Sequence, residues 1–426
     1  MNNIFLALVL YFSITISYSQ DTLSIMHYNI LNYGNNTGFC SQENNNIDIK
    51  DEYIRMIFNH IKPDIFTVNE ISNSQDIQRR MLDENINQDG SNKYEMANFM
   101  KIADSYIVNQ MYFNSSKLGL HSHSIAQSYI RDIDVYKLYY KSDDIEYGDT
   151  AFITCLVAHL KAGNSTENAN KRSLMVGNAL DYLDDIALDD NYIFMGDFNT
   201  YKSSEAAYQL LINNQNNSVQ FIDPIDTPGN WNNNYDYRFV HTQSTHSSSN
   251  GCAASGGMDD RFDFILISDN VRDGNKYIQY LNDSYIAIGQ DGLHFNSSIN
   301  SSPENQSAPA EVIEALYGNS DHLPVVVKVT VDKNPSSINY ETVIDGFIFN
   351  NPMANDLSIK ITSTDQNRIG ISIYNMLGNV VIKETKFLTP GEQIIKYRLD
   401  IPSGIYMVVL TEDTGLIISK KLIVTR

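Results

Sequence analysis

Short apolar runs that end on a polar residue recur along the chain as far as Val331. Asp21–Leu31 alternates loosely through Leu23, Ile25 and Tyr28 and predicts a strand with Asn29 near its end. In Glu52–Ile61, Ile54, Ile57, Phe58 and Ile61 follow helical spacing, and Pro63 stops the helix. Ile65–Val68 predicts the next strand, with Glu70 just beyond it, so a β-α-β unit delivers Asn29 and Glu70 to neighbouring strand ends. Ser74–Leu82 predicts a helix. Tyr94–Phe99, Tyr106–Phe113, Val135–Tyr140 and Phe152–Leu160 are dense in Tyr, Val, Ile and Phe and predict strands; Arg131 precedes the third, and His159 and Lys161 close the fourth. Arg172–Leu183 carries Val176, Ala179, Leu180 and Leu183 on one helical face.

Tyr192–Thr200, YIFMGDFNT, is a buried strand in which Gly196 lets the backbone turn. Asp197 and Asn199 stand two residues apart, so in extended backbone both point to one side. Ser203 or Ser204 caps a helix running to Leu211. Asn213–Met258 reads as long loops carrying Trp231, Tyr235, Tyr237, Phe239, His241 and His246. Phe262–Ile267 predicts a strand containing Asp263. Asn282–Asn319 is a second loop region with a short helix around Glu311–Tyr317, after which Ser320-Asp321-His322 opens onto the strand Leu323–Val331. Residues 333–339, with Pro335, Ser336 and Ser337, form a linker. From 340 to 426 short strands are punctuated by Leu377-Gly378-Asn379, Pro390-Gly391 and Pro402-Ser403-Gly404, which predicts a small all-β sandwich.

At the other end, Ile4–Phe12 is an apolar stretch too short to span a membrane, followed by a small-x-small site at Ser17-Tyr18-Ser19. Residues 1–20 therefore read as a signal peptide and 21–332 as the main domain. No later stretch is long enough for a transmembrane segment. The chain of 426 residues has a formal charge of −21, all of it before Asn334. Such a surface repels polyanions at long range, which argues against tight nonspecific nucleic-acid binding but not against turnover at a metal-loaded site. The three cysteines are no disulfide framework: Cys155 lies in an apolar run as a buried thiol, while Cys40 and Cys252 sit in loops and could pair after export.

Asn29, Glu70, His159, Asp197, Asn199, Asp321 and His322 all stand at strand ends, and Asp263 lies within a strand. Singly, each has an ordinary explanation as a turn residue or a solvated charge. Jointly they suit metal-assisted phosphoester hydrolysis. Glu70 and Asp321, assisted by Asn29, are a ligand set for Mg2+, which takes few carboxylates and keeps waters. His322 paired with Asp263 makes a general base. Asp197 and Asn199 would orient the attacking water or the phosphate, and His159 would donate to a phosphate oxygen or the leaving group.

The segments HYNILNY, PDIFTVNEI, CLVAHLKAG, FMGDFNTY, RFDFILIS and NSDHLPVVV, in this order, resemble the endonuclease/exonuclease/phosphatase superfamily (DNase I-like). The resemblance implies a four-layered α/β sandwich of two packed mixed sheets, with Glu70 on the metal and His322 paired with Asp263. The ion would be Mg2+ or Mn2+, with structural Ca2+ as a further candidate. Arg131 matches a phosphate-contacting position without the usual following proline, and His159 lacks an evident acidic partner. The segment 340–426 resembles the type IX secretion sorting domain through Ile373–Gly378, Ile401–Tyr406 and Lys420-Lys421, departing from it at Phe349–Pro352. That implies the type IX secretion machinery as a partner and a secreted or cell-surface protein; an ordinary β-sandwich accessory or carbohydrate-binding domain is the alternative. The expected function is a secreted, metal-dependent, DNase-like nuclease with nucleic acid as substrate. The alternatives are a sphingomyelinase acting on a phospholipid head group or a small-molecule phosphatase, which the aromatic loops at Trp231–Phe239 and Leu293–Phe295, of zero net charge, would suit, and a catalytically inactive binding module.

Overall fold

The structure is a computed structural model that describes residues 20–88, 92–145, 150–213, 218–333, 344–363, 366–375, 378–412 and 417–425. The expected signal peptide up to Ser19 and the linker from Asn334 lie outside these residues. Backbone contacts divide the chain into one unit ending at Ser337 and another beginning at Ile338.

In chain order the first unit contains β1 (Asp21–Tyr33), α1 (Ile47–Ile61), β2 (Ile65–Ser72), α2 (Gln75–Arg80), β3 (Tyr94–Met96), β4 (Ile107–Asn114), β5 (Leu118–Gln127), β6 (Ile133–Tyr140) and β7 (Phe152–His159). Then come α3 (Thr166–Ile186), β8 (Tyr192–Asp197), α4 (Ala206–Asn213), β9 (Phe221–Ile222), β10 (Asp263–Ser268), α5 (Asp269–Asp273), β11 (Ile278–Tyr280), β12 (Ile286–Ala287), α6 (Ala310–Asn319) and β13 (Val325–Val331). One sheet runs β11-β13-β1-β2-β4-β3, with β12 on β13, and the other runs β5-β6-β7-β8-β10-β9. Both mix parallel and antiparallel pairs: β1–β2 and β7–β8 are parallel, β1–β13 and β8–β10 antiparallel.

Period-two alternation sorts the side chains into layers. In β1, Leu23 and Ile25 face the core between the sheets, and Met26, Tyr28 and Ile30 face α1 and α6. In β8, Ile193 and Met195 face the intersheet core, and Tyr192 and Phe194 pack towards α3 and α4. Helix, sheet, sheet, helix is thus the four-layered sandwich expected from the sequence. The second unit packs a three-stranded sheet (Ile344–Phe349, Asp356–Ser363, Gly391–Arg398) against a four-stranded one (Val380–Leu388, Asn367–Asn375, Gly404–Glu412, Ile417–Val424). Leu357, Ile359 and Ile361 meet Ile369, Ile371, Ile373 and Val408 in its core.

Several expectations are corrected. The helix expected from Glu52 starts a turn earlier, at Ile47, because Asn46 caps it: its side chain accepts from the N–H of Asp48 and Ile49. Asn46→Ala is therefore expected to cost about 1 kcal/mol, read as a lower urea midpoint at unchanged slope. The helix expected to end at Leu82 instead passes into a π-helical turn at Met81–Ile86. The strand β5 has no counterpart in the expected elements. The helix expected to be capped by Ser203 or Ser204 begins only at Ala206. Gly196 does not turn the chain: it stays within β8, where a Cβ would lie 1.9 Å from the Ala158 carbonyl oxygen. Trp231, on a loop as expected, is fully buried and donates to the Thr227 carbonyl. Cys40 and Cys252 are disulfide-bonded, while Cys155 is a buried free thiol.

Candidate active site

Strand register gathers the polar ends at one rim. In the first sheet Asn29 pairs with Asn69, beside Glu70; in the second Asp197 pairs with both His159 and Asp263. Glu70 is not beyond its strand as expected. It lies inside β2 at a bulge, with φ of 63°, in the left-handed region that an ordinary residue avoids. Leu31 and Asn32 have φ of 43° and 48°, and Asn199 has 52°. Strained backbone held on both sheets beside the same rim is characteristic of functional sites.

His322 Nδ1 lies 2.8 Å from Asp263 Oδ2, so the ring carries its proton there, and Thr242 Oγ1 also donates to that oxygen at 2.7 Å. In the neutral ring His322 Nε2 bears the lone pair. It receives the Gln243 amide at 2.7 Å and lies 3.4 Å from Asn29 Nδ2 and 3.7 Å from Asp197 Oδ2. Asn29 Nδ2 also donates to Asp197 Oδ2 at 3.0 Å and to Glu70 Oε1 at 3.2 Å. His159 has acidic neighbours after all: its Nε2 is 3.5 Å from Asp197 Oδ2 and 3.7 Å from Glu70 Oε1.

Asn199 departs from the expected geometry. The strand ends at Asp197, and the Asn199 N–H folds back onto Asp197 Oδ1 at 3.0 Å, an Asx-type turn, while its amide donates to the Leu160 carbonyl. Arg131 donates to the same carbonyl at 2.9 Å, which places it at the edge of the cluster.

Burial would depress the His322 imidazole, but the carboxylates of Asp263 and Asp197 outweigh it and hold the group well above its ordinary value. Burial, then the charge of Arg131, keeps His159 far below its ordinary value and therefore neutral. Burial pushes Asp197 up to about 7, against the opposing pull of His322.

The donor set suits an oxygen-seeking divalent ion. Asp321 Oδ2 accepts from the Ala254 N–H, but Asp321 Oδ1 is buried without a hydrogen-bond partner among the described residues. Glu70 Oε2 is held by the N–H and amide of Asn32, which aims the carboxylate. Among the described residues no group of three or more His, Cys, Asp or Glu is placed to hold a metal ion.

Sequence reading missed four residues here. Gln243 meets His322, and Asn69 Oδ1 accepts from the Asp197 N–H. Asn32 meets Glu70, and Lys50 binds the carbonyls of Leu31 and Asn319 on either side of the cluster. Only Lys50 had a signal: it shares the apolar face of Ile54 and Ile57.

No curated protein matches the chain in sequence. Among solved structures, an endonuclease/exonuclease/phosphatase family protein from Bacteroides thetaiotaomicron aligns at 12% identity, covering 74% of this chain and 99% of its own, with a TM-score of 0.45. D. rerio TDP2, complexed with a single-strand DNA product, aligns at 13% identity over 72% of this chain and 98% of its own, with a TM-score of 0.45. A mannosyl-6-phosphatase from Bacteroides thetaiotaomicron aligns at 12% identity over 72% and 99%, with a TM-score of 0.44. No helix among the described residues is long and apolar enough to cross a membrane. Residues 347–425 match the Secretion system C-terminal sorting domain, which marks the chain for type IX export to the cell surface or the outside.

Proposed function

We propose that the chain is a divalent-metal-dependent phosphodiesterase acting outside the cell, as a DNase-like endonuclease on nucleic acid. The observation that carries this reading is the His322–Asp263 pair, whose Nε2, hydrogen-bonded by Gln243, lies beside Asp197 and Asn29. A binding module has no need of a buried imidazole with one nitrogen pinned and the other presented to a carboxylate.

A water oriented by Asp197, whose carboxylate the Asn199 N–H holds, gives its proton to His322 Nε2 as its oxygen bonds to phosphorus and the P–O bond to the leaving group breaks. Asp263 fixes the tautomer and stabilises the imidazolium that forms. His159, neutral, donates a hydrogen bond to a phosphate oxygen, and Arg131 flanks the same rim. Glu70 and Asp321, with Asn29 assisting, would hold Mg2+ or Mn2+, which would neutralise the phosphate charge. Export through the sorting domain supports a substrate met outside the cell.

Exposed apolar side chains favour a second reading. Tyr235, Phe239 and Leu293 are 57%, 58% and 62% exposed, a surface suited to a phospholipid head group. Plasmid DNA, RNA and sphingomyelin assayed side by side with Mg2+ and Mn2+ separate the two. Cleavage of nucleic acid alone supports the nuclease, whereas turnover of sphingomyelin alone replaces it with the lipid enzyme on the same residues.

Glu70→Gln keeps the shape of the side chain but removes its charge. It is expected to raise the Mn2+ concentration for half-maximal activity at least about 10-fold, since even residues that only orient metal ligands are worth that much. A metal titration of both proteins checks it; an unchanged half-saturation would remove Glu70 from the ligand set.

A further inference from the structure

Lys50 is 1% exposed, on the buried face of α1. Its ammonium donates to the Leu31 carbonyl at 2.8 Å, to Asn45 Oδ1 at 2.8 Å and to the Asn319 carbonyl at 2.6 Å. Three N–H donors meet three oxygens, so the group is fully satisfied where no water is needed. The cost of burying a charge shows in its acidity: burial pushes the ammonium down to about 7, against the pull of the Asp321 and Glu70 carboxylates.

The two carbonyls belong to the two segments that carry the proposed ligands. Leu31 lies between Asn29, whose Oδ1 accepts the Leu31 N–H, and Asn32, whose N–H and amide hold Glu70 Oε2. Asn319 leads directly into Ser320, whose hydroxyl donates to the Asn29 carbonyl and accepts the His322 N–H, and then into Asp321. Both Leu31 and Asn32 are held at positive φ. Such a turn relaxes unless its surroundings over-determine it.

We propose that Lys50 is a positioning residue for the metal site: its buried ammonium clamps the Leu31–Asn32 turn to the Asn319–His322 segment and so sets the spacing of Glu70 and Asp321. This rests on the metal-site reading above. The two possible roles of Lys50 have opposite signs. As a mere neighbouring charge, the ammonium repels a divalent ion, so its removal would tighten metal binding or leave it unchanged. As a clamp, its removal lets the carboxylates drift and weakens binding.

Mn2+ binding to the full-length, metal-stripped protein, followed by the electron paramagnetic resonance of free Mn2+, reads this without any substrate. Lys50→Met, matched in length but without donors, is expected to weaken Mn2+ binding about 10-fold or more, the usual size of an orienting effect. Unchanged or tighter binding in that variant overturns the clamp. Should Lys50→Met fail to fold, Asn45→Ala removes one of the three oxygens and keeps the charge; it is expected to weaken binding several-fold, and no change would overturn the proposal. Glu70→Gln measured alongside separates the two failures. If it binds Mn2+ as the natural protein does, or if the natural protein binds none, the metal-site reading falls and the clamp with it. If Glu70→Gln loses Mn2+ while Lys50→Met does not, only the clamp falls.

Discussion

Replacing His322 with Ala is expected to lower phosphodiester hydrolysis by about 10^3-fold, the middle of the range for losing a positioned general base. The loss should fall on kcat, because the proton transfer is made only in the transition state, with KM close to that of the natural protein. His322→Ala also leaves Asp263 buried with only the Thr242 hydroxyl as side-chain donor, so some stability is lost with it. Asp263→Asn keeps the packing and disturbs the tautomer instead. It should reproduce a kcat loss of about 10^2-fold or more if the pair works as one unit. Steady-state kinetics on a phosphodiester substrate, beside a thermal unfolding curve for each variant, checks both. A folded His322→Ala protein within a few-fold of natural kcat would remove the base from the account.

The second large effect concerns stability. Arg261 and Asp223 form a two-pronged pair at 2.7 and 2.9 Å, with side chains only 1% and 4% exposed. Tyr208 donates to the same carboxylate, and the guanidinium lies 4.3 Å from the Phe264 ring centroid. Asp223→Asn would leave the guanidinium buried without its counter-charge, at an expected cost of about 3–5 kcal/mol. The pH dependence has a definite sign. Burial alone would raise the Asp223 carboxyl, but Arg261 outweighs it and holds the group below the usual carboxylate range. A depressed folded-state value means that the pair stabilises above the unfolded value of about 3.9 and loses that contribution as pH falls through the folded value. Urea unfolding at pH 7 and at pH 3 should therefore show a large gap between the two proteins at pH 7 and a smaller one at pH 3. A cost below about 1 kcal/mol at pH 7 would contradict the buried-pair argument.

The strand-end residues were legible because an apolar run explains itself by burial, and a polar residue closing it has no packing reason to be there. Asn29, Glu70, His159 and Asp197 stand out this way, whereas Asp263 reads as lying within a strand and Asp321 and His322 ahead of one; the registers of β1, β2, β7, β8 and β10 and the Asn29 contacts with Glu70 and Asp197 gather the first five of these residues at one rim. The bulge at Glu70 and the turn at Asn199 were not legible. Both depend on backbone conformations chosen by contacts with other segments, such as Asn32 on Glu70 and Leu160 on Asn199. The strand β5, LGLHSHSIAQ, was missed because it is an edge strand of its sheet and mixes exposed polar residues with few apolar ones. Gln243 sits in a long irregular stretch, where no periodicity predicts which side chain turns inward. Lys50 could have been found: a lysine four residues before Ile54 on the same helical face is either an error of patterning or a buried charge with partners.

The most direct test of the central claim is plasmid nicking by the full-length protein with Mg2+ or Mn2+, with EDTA, and with the Asp197→Asn/His322→Ala double variant. The account predicts nicking with either ion that both EDTA and the double variant abolish. Nicking that survives the double variant would contradict the assigned site. A natural protein that cleaves neither DNA, RNA, sphingomyelin nor a simple aryl phosphodiester with either ion would contradict the phosphodiesterase itself.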